Sequence, residues 1–435
     1  MLFSFLLVPF LIISSIIFPV HAEALKVQEV ILENGLKILL LENRKSPVVT
    51  FQVWYRVGAR NDEDSKTGLA HFLEHMVGPK DYSRIIAKNG GRSNAFTTAD
   101  TTVYFANMSR EKVGVAIELE AERMAANRLD GAAFGTEKNV VMEERRLGIE
   151  DNPVSALSEV ASAVAYTMHP YRRPIIGWMK DIENISQEEL ERHFRTYYVP
   201  NNAFIVAVGD FSAPEMLAKI KAHFGGIPRG PEPPKMGTQE PAQRGERRVI
   251  LKKEAELPVL LLHYHSPNAR DPDSFALDLL SVILAQGRSS RLYQELVYRM
   301  RLVRGVSADY YGLSVDPTIF SITAQLMPGK DPREVERALD ELLDRVRSEP
   351  VSDAELEKAK KQVEAAFVFG QDSVFGQAMR IGYYEVSVGW RLLDGYLDGI
   401  RKVTAKDILR VARRYLHPDS RTIATLIPAE PHRTK

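Results

Sequence analysis

The sequence contains no cysteine among its 435 residues. That absence removes disulfides, thiolate metal sites and a thiol nucleophile at once, so any metal must be held by His, Asp or Glu. Charge of one sign is lacking too, because 57 Lys and Arg balance 57 Asp and Glu. A nucleic-acid binder normally carries a basic excess or stripe, so no nucleic-acid partner is expected. Past residue 22 no apolar run is long enough to span a bilayer. What is present is ordinary: 45% hydrophobic and 26% charged residues, the composition of a globular protein, over a length that calls for two or three domains.

The one membrane-like stretch is at the N-terminus. From Leu2 to Val20 it is apolar apart from Ser4, Ser14, Ser15, Pro9 and Pro19, and it ends in Val20-His21-Ala22. Small residues there suit a signal peptidase, so residues 1–22 read as a signal peptide cleaved after Ala22, with the body periplasmic or secreted. No Lys or Arg precedes the run. The competing reading is therefore a retained anchor with the body facing the periplasm, and membrane association is expected only if this segment stays uncleaved.

Residues 225–247 hold five prolines and five glycines and show almost no apolar periodicity, which is a linker composition. They divide the chain into residues 23–224 and 248–435. The two halves end alike: Ile182, Ile185, Ser186, Leu190, Arg192, Tyr197 and Pro200 recur in spacing as Ile400, Val403, Thr404, Ile408, Arg410, Tyr415 and Pro418, each set leading into a strand-like run. Ser186 and Thr404 read as helix N-caps, with acidic Glu189 and Asp407 three residues on. The halves also begin alike, with strand patterns over 27–32, 36–41 and 48–57 and again near 248–262. A hairpin signal, Glu33-Asn34-Gly35, separates the first two, and helical periodicity follows in both halves. The expected fold class is α+β: two homologous α/β-sandwich domains, each a mostly antiparallel sheet covered by helices, joined by the Pro/Gly-rich linker.

The chemistry concentrates in His71-Phe72-Leu73-Glu74-His75. Histidines four apart on a helix project from one face one turn apart, which suits two adjacent tetrahedral zinc positions. Glu74 lies beside that face, placed to accept a proton from a water without being a ligand. The order HxxEH inverts the commoner HExxH. For a third ligand the helical pattern over 136–151 offers Glu137, Glu143 and Glu144. Glu137 and Glu144 lie two turns apart on a stripe with Val140 and Val141; periodicity leans toward Glu144 and leaves Glu143 open. The plainer reading of this run is a solvated acidic face making surface ion pairs with Arg145 and Arg146. His169, His263 and His265 have no ligand spacing to a second candidate and read as packing or hydrogen-bonding residues.

HxxEH followed by Glu137-x6-Glu144, a linker and a second similar domain without the motif resembles the pitrilysin/insulinase superfamily of zinc metallopeptidases, over nearly all of residues 25–430. In size and layout it looks like the smaller members, the class of the mitochondrial processing peptidase and its bacterial relatives. The resemblance implies one zinc ion held by His71, His75 and Glu144, with Glu74 as general base and Glu137 as a supporting carboxylate. It implies a peptide substrate pairing as an added strand with Asn94, Ala95 and Phe96. Two departures stand out. The loop at residues 76–81 is shorter than in the family, and the second-domain Arg and Tyr that bind substrate in self-sufficient members align with Val297 and Arg304 here. The resemblance therefore implies a homologous zinc-less partner subunit that supplies the Arg/Tyr pair, or a homodimer. The expected function is an exported zinc metalloendopeptidase acting on peptides or unfolded chains; the alternative is a non-catalytic assembly or chaperone subunit retaining a structural zinc.

Overall fold

The structure, a computed structural model, describes residues 26–79, 81–126 and 129–429. The expected signal peptide and its cleavage position lie outside these residues. No helix among the described residues is long and apolar enough to cross a membrane.

The first half builds a six-stranded sheet from β1 (Gln28–Ile31), β2 (Lys37–Glu42), β3 (Val48–Tyr55), β4 (Arg92–Thr97), β5 (Thr102–Ser109) and β6 (Ala203–Gly209), in the order β1-β2-β6-β3-β5-β4. The second half builds a five-stranded sheet from β7 (Arg247–Lys253), β8 (Val259–Ser266), β9 (Val303–Tyr310), β10 (Thr318–Leu326) and β11 (Arg421–Pro428), in the order β7-β11-β8-β10-β9. Removing β1 makes the two orders identical. In each, one parallel pair (β2 with β6, β7 with β11) joins an otherwise antiparallel ladder. This is the α+β pair of homologous sheets expected from the sequence. The hairpin between β1 and β2 turns at Gly35, which sits at φ +91°, a conformation open to glycine. Asn34 beside it donates to the carbonyls of Phe224 and Ile227 at 2.9 Å each, fastening the start of residues 225–247 to the first sheet.

The helices follow the same duplication. In the first half come α1 (Leu69–Met76), α2 (Tyr82–Lys88), α3 (Val113–Ala125), α4 (Phe134–Arg145), α5 (Pro153–Ala165), α6 (Met179–Asn184), α7 (Gln187–Tyr197) and α8 (Ala213–Phe224). In the second come α9 (Asp273–Ala285), α10 (Pro332–Ser348), α11 (Asp353–Phe369), α12 (Val374–Ser387), α13 (Tyr396–Lys402) and α14 (Ala405–Tyr415), with a wide helical turn, Tyr293–Arg299, where α2 stands in the first half. The matched endings carry the expected capping boxes, Ser186 with Glu189 on α7 and Thr404 with Asp407 on α14.

Strands β2, β6, β8 and β11 are buried on both faces, so each sheet needs a second cover beyond its own helices. The halves supply it to each other. Helix α5 lays Leu157 and Ala161 on Val259, Leu261, Ala424 and Leu426 of the second sheet. Helix α12 packs on the back of the first sheet, where Trp54 stacks on Phe204 with centroids 5.7 Å apart and meets Tyr383 edge-on at 5.2 Å. Gly382 is the contact point, since a Cβ there would lie 2.1 Å from Trp54 Cζ2. Residues 228–246 have no regular structure, yet the Glu240 carboxylate accepts the backbone N–H groups of Thr167, Met168 and His169 at 2.7 to 2.9 Å.

Candidate metal centre

Helix α1 starts under tight constraint. Gly68 is left-handed at φ +94°, and a Cβ there would lie 2.6 Å from the carbonyl oxygen of Ile176. Gly177 opposes it at φ +88°, where a Cβ would lie 2.3 Å from the Thr67 carbonyl oxygen. The buried Asp62 carboxylate accepts from the backbone N–H groups of Gly68 at 2.7 Å and Ala70 at 2.9 Å, satisfying amides the helix start leaves free. Burial pushes the Asp62 carboxyl up to about 7. Leu69, Phe72, Leu73 and Met76 then turn into the core, leaving His71, Glu74 and His75 on the face that meets α4 and β4.

Helix α4 is set in register by Arg145. Its guanidinium is buried, donates to both Glu159 oxygens at 2.9 and 3.0 Å, and reaches the Gly177 carbonyl at 2.7 Å. The surface-ion-pair reading therefore fails for Arg145, though it holds for Arg146, which pairs with exposed Glu143 at 2.9 Å. Val141 is buried but Val140 is exposed, so the expected apolar stripe is narrower than the sequence suggests. The Glu137–Glu144 side faces α1. Glu144 Oε2 lies 3.7 Å from His71 Nε2 and 3.4 Å from His75 Nε2, and Glu137 Oε2 lies 3.6 Å from His75 Nδ1.

Ligand atoms of His71, His75 and Glu144 all fall within 4.8 Å of one another. Two imidazole nitrogens and a carboxylate oxygen, with no Lys or Arg paired to Glu144 among the described residues, form the donor set of a zinc site that keeps a position open. Burial, aided by His75, pushes His71 down to about 4, so its ring is neutral and its lone pair free to ligate. Its buried Nδ1 has no hydrogen-bond partner. The residues present fit the zinc ion that the motif implies.

Glu74 is held from the strand side. Thr97 Oγ1 donates to Glu74 Oε2 at 2.6 Å. Burial pushes the Glu74 carboxyl up, and the Thr97 bond opposes it. Nothing in the sequence pattern marked Asp62 or Gly177, and the one signal for Thr97 was its place in the run with Asn94, Ala95 and Phe96. Those three residues lie on β4, which pairs with β5 alone and ends the sheet. Ser93 and Thr97 face the helices, touching Ser83 and Glu74. The Phe96 ring points to the opposite face, against Trp54 and Tyr383, so it is packed there.

The remaining candidates stay apart from the metal cluster. His169 Nε2 lies 3.0 Å from Asp316 Oδ2, and His265 Nε2 lies 2.9 Å from the Ala165 carbonyl. His263 is buried, which pushes it down to about 4. Of the two positions that the resemblance sets against the family's Arg and Tyr, Val297 lies in the turn Tyr293–Arg299, and Arg304 stands 4.0 Å from Glu256.

An inverted zinc motif on one of two duplicated α+β sheets is the architecture of a metallopeptidase family, and comparison with known proteins bears this out. Residues 37–178 match the family model described as "Insulinase (Peptidase family M16)", and residues 184–363 match "Peptidase M16 inactive domain". The chain is 31% identical over 422 residues to the zinc protease PqqE of Helicobacter pylori, covering 94% of this chain and 95% of that protein. A crystal structure of a protease from Helicobacter pylori superposes with a TM-score of 0.89 at 31% identity, covering 93% of this chain and 100% of that one. At 24% identity the chain also matches the probable mitochondrial-processing peptidase subunit beta of Arabidopsis thaliana, over 92% of this chain and 78% of that one. The chain belongs to the M16 peptidase family.

Proposed function

We propose that this chain is an exported zinc metalloendopeptidase acting on short or unfolded polypeptides. The observation that carries the proposal is the convergence of His71, His75 and Glu144 beside a carboxylate, Glu74, that is held from β4. Zinc held by those three residues would supply a Lewis acid that polarises a peptide carbonyl and acidifies a water. Glu74 accepts the proton of the attacking water and passes it to the departing amine. Thr97 fixes the carboxylate for both transfers. Glu137, beside His75, orients that ring. The outer edge of β4 at Asn94, Ala95 and Phe96 pairs with the backbone of an extended peptide, laying it past Glu74. The division into a zinc-binding domain at 23–224, a linker at 225–247 and a homologous domain at 248–435 belongs to the same reading. So does an N-terminal signal peptide that takes the protein to the periplasm.

A homologous partner subunit, or a second copy of the chain, completes substrate binding in this reading. Val297 and Arg304 stand where the family's Arg and Tyr are implied. The same feature, with the match of residues 184–363 to an inactive domain, favours a second reading as a non-catalytic assembly subunit that retains a structural zinc. Glu74→Gln separates them. The catalytic reading expects cleavage by the protein with its partner to fall about 10²- to 10⁴-fold while zinc stays bound. Cleavage that survives the substitution would rule out Glu74 as the base. A wild-type complex that binds zinc and cleaves no peptide would establish the second reading.

A further inference from the structure

The duplication gives the candidate metal centre a counterpart. By order in the chain and in the sheet, α9 stands where α1 does, β9 where β4 does, and α11 where α4 does. The first set of three encloses His71, His75 and Glu144. The second set, closed by α12 and α13, encloses a cavity of about 1020 Å³. No histidine lines it. Asp278 from α9 and Arg380 from α12 line it instead, along an aromatic wall formed by Phe367, Tyr384 and Tyr396.

Neither ionic group has a counter-charge among the described residues. The side chain of Asp278 has one hydrogen-bond partner among the described residues, the Tyr396 hydroxyl at 3.1 Å. Burial pushes its carboxyl up to about 7. Arg380 donates to the Phe367 carbonyl at 2.9 Å and lies 4.2 Å over the Phe367 ring, and no carboxylate pairs with it among the described residues. Burial pulls its pKa down. An isolated carboxylate and an isolated guanidinium inside an apolar cavity are each costly, and the two do not pair with each other. A ligand that brings an ammonium to one and a carboxylate to the other removes both costs, while the aromatic wall calls for an apolar body between them.

The cavity also has a neighbour. It shares Tyr311, Leu313 and Tyr383 with a cavity of about 540 Å³ between the two halves, which the β4–β5 turn at Thr98–Thr101 helps to line.

We propose that the second-half cavity is a binding site for short apolar peptides with both termini free, the α-ammonium held by Asp278 and the α-carboxylate by Arg380. It is the metal centre's duplicate, with its chemistry lost and a pocket retained. The proposal does not rest on peptidase activity and stands or falls on binding alone.

The test uses the full chain carrying Glu74→Gln, so that no bound peptide is consumed. Leucine dipeptide, tripeptide and tetrapeptide are titrated calorimetrically, each free, N-acetylated or C-amidated. At least one free peptide is expected to bind saturably, and either blocking group is expected to weaken it tenfold or more. Asp278→Asn is expected to erase the discrimination against the acetylated peptide, and Arg380→Gln that against the amidated one. The proposal is overturned if no free peptide binds saturably up to millimolar concentration, or if blocked peptides bind as tightly as free ones. It is also overturned if both variants leave binding and discrimination unchanged, which would place the peptide elsewhere. Should a variant fail to fold, the blocking-group comparison on the parent chain still decides.

Discussion

Thr97→Val removes one hydroxyl and little else, which makes it a sharp probe of Glu74. The Thr97 hydroxyl donates to Glu74 Oε2 at 2.6 Å, within the range of a charge-assisted O–H···O⁻ bond. A hydrogen bond to a charged group contributes about 1.5–3 kcal/mol. That bond favours the ionised carboxylate and works against burial, which favours the neutral acid. Losing it moves the Glu74 pKa further up, so on the acid side a larger share of the protein carries a protonated carboxyl that could not serve as the proposed base. There kcat/KM is expected to fall by roughly 10- to 150-fold, the rate equivalent of that energy. The deficit should shrink as the pH climbs past the new pKa. The assay is a pH profile of kcat/KM for wild type, Thr97→Val and Thr97→Ser, with zinc content verified equal in all three. Serine keeps the hydroxyl and is expected to track wild type. A loss of equal size at every pH, or no loss at all, would show that Thr97 serves packing and that Glu74 does not depend on it.

Glu144→Gln is expected to lower zinc affinity by at least about an order of magnitude, whereas Glu143→Gln, which faces Arg146 at the surface, should leave it unchanged. Metal analysis after dialysis checks this, and the reverse pattern would refute the register given to α4. Gly382→Ala would place a Cβ 2.1 Å from Trp54 Cζ2, and the resulting overpacking should cost about 1–3 kcal/mol, seen as a lower thermal midpoint by circular dichroism. An unchanged midpoint would mean that α12 does not seat on the first sheet. Folded Asp62 titrates near 7 and unfolded aspartate near 4, so the folded state holds a proton through that window that the unfolded chain releases, and the stability Asp62 contributes falls as pH rises. His71, His193 and His263 lie below the usual histidine range and pull the opposite way, so the reading is differential: in urea titrations, Asp62→Asn should gain stability relative to wild type between pH 5 and pH 8.

What the sequence discloses is what depends on neighbours a few residues away. The His71–His75 spacing sets two imidazoles on one helical face by geometry alone. The Ser186–Glu189 and Thr404–Asp407 boxes are closed within four residues, so their repetition exposes the duplication. Contacts between distant residues stay hidden. Thr97 and Glu74 are 23 residues apart and meet only because α1 crosses the end of the sheet. Arg145 reads as one more surface charge beside Arg146, and burial against Glu159 and Gly177 decides otherwise. The exchange of α5 and α12 between the sheets has no local sign at all. Its trace is indirect: strands such as Ala203–Gly209 are apolar on both faces, so each sheet needs a second cover, and the sequence cannot say which half provides it. That exchange bears on function. Because α12 packs on the first sheet through Trp54 and also carries Arg380 into the second-half cavity, any shift of α12 on binding there must be felt at Tyr383 and Phe96, at the back of the strand that holds Glu74.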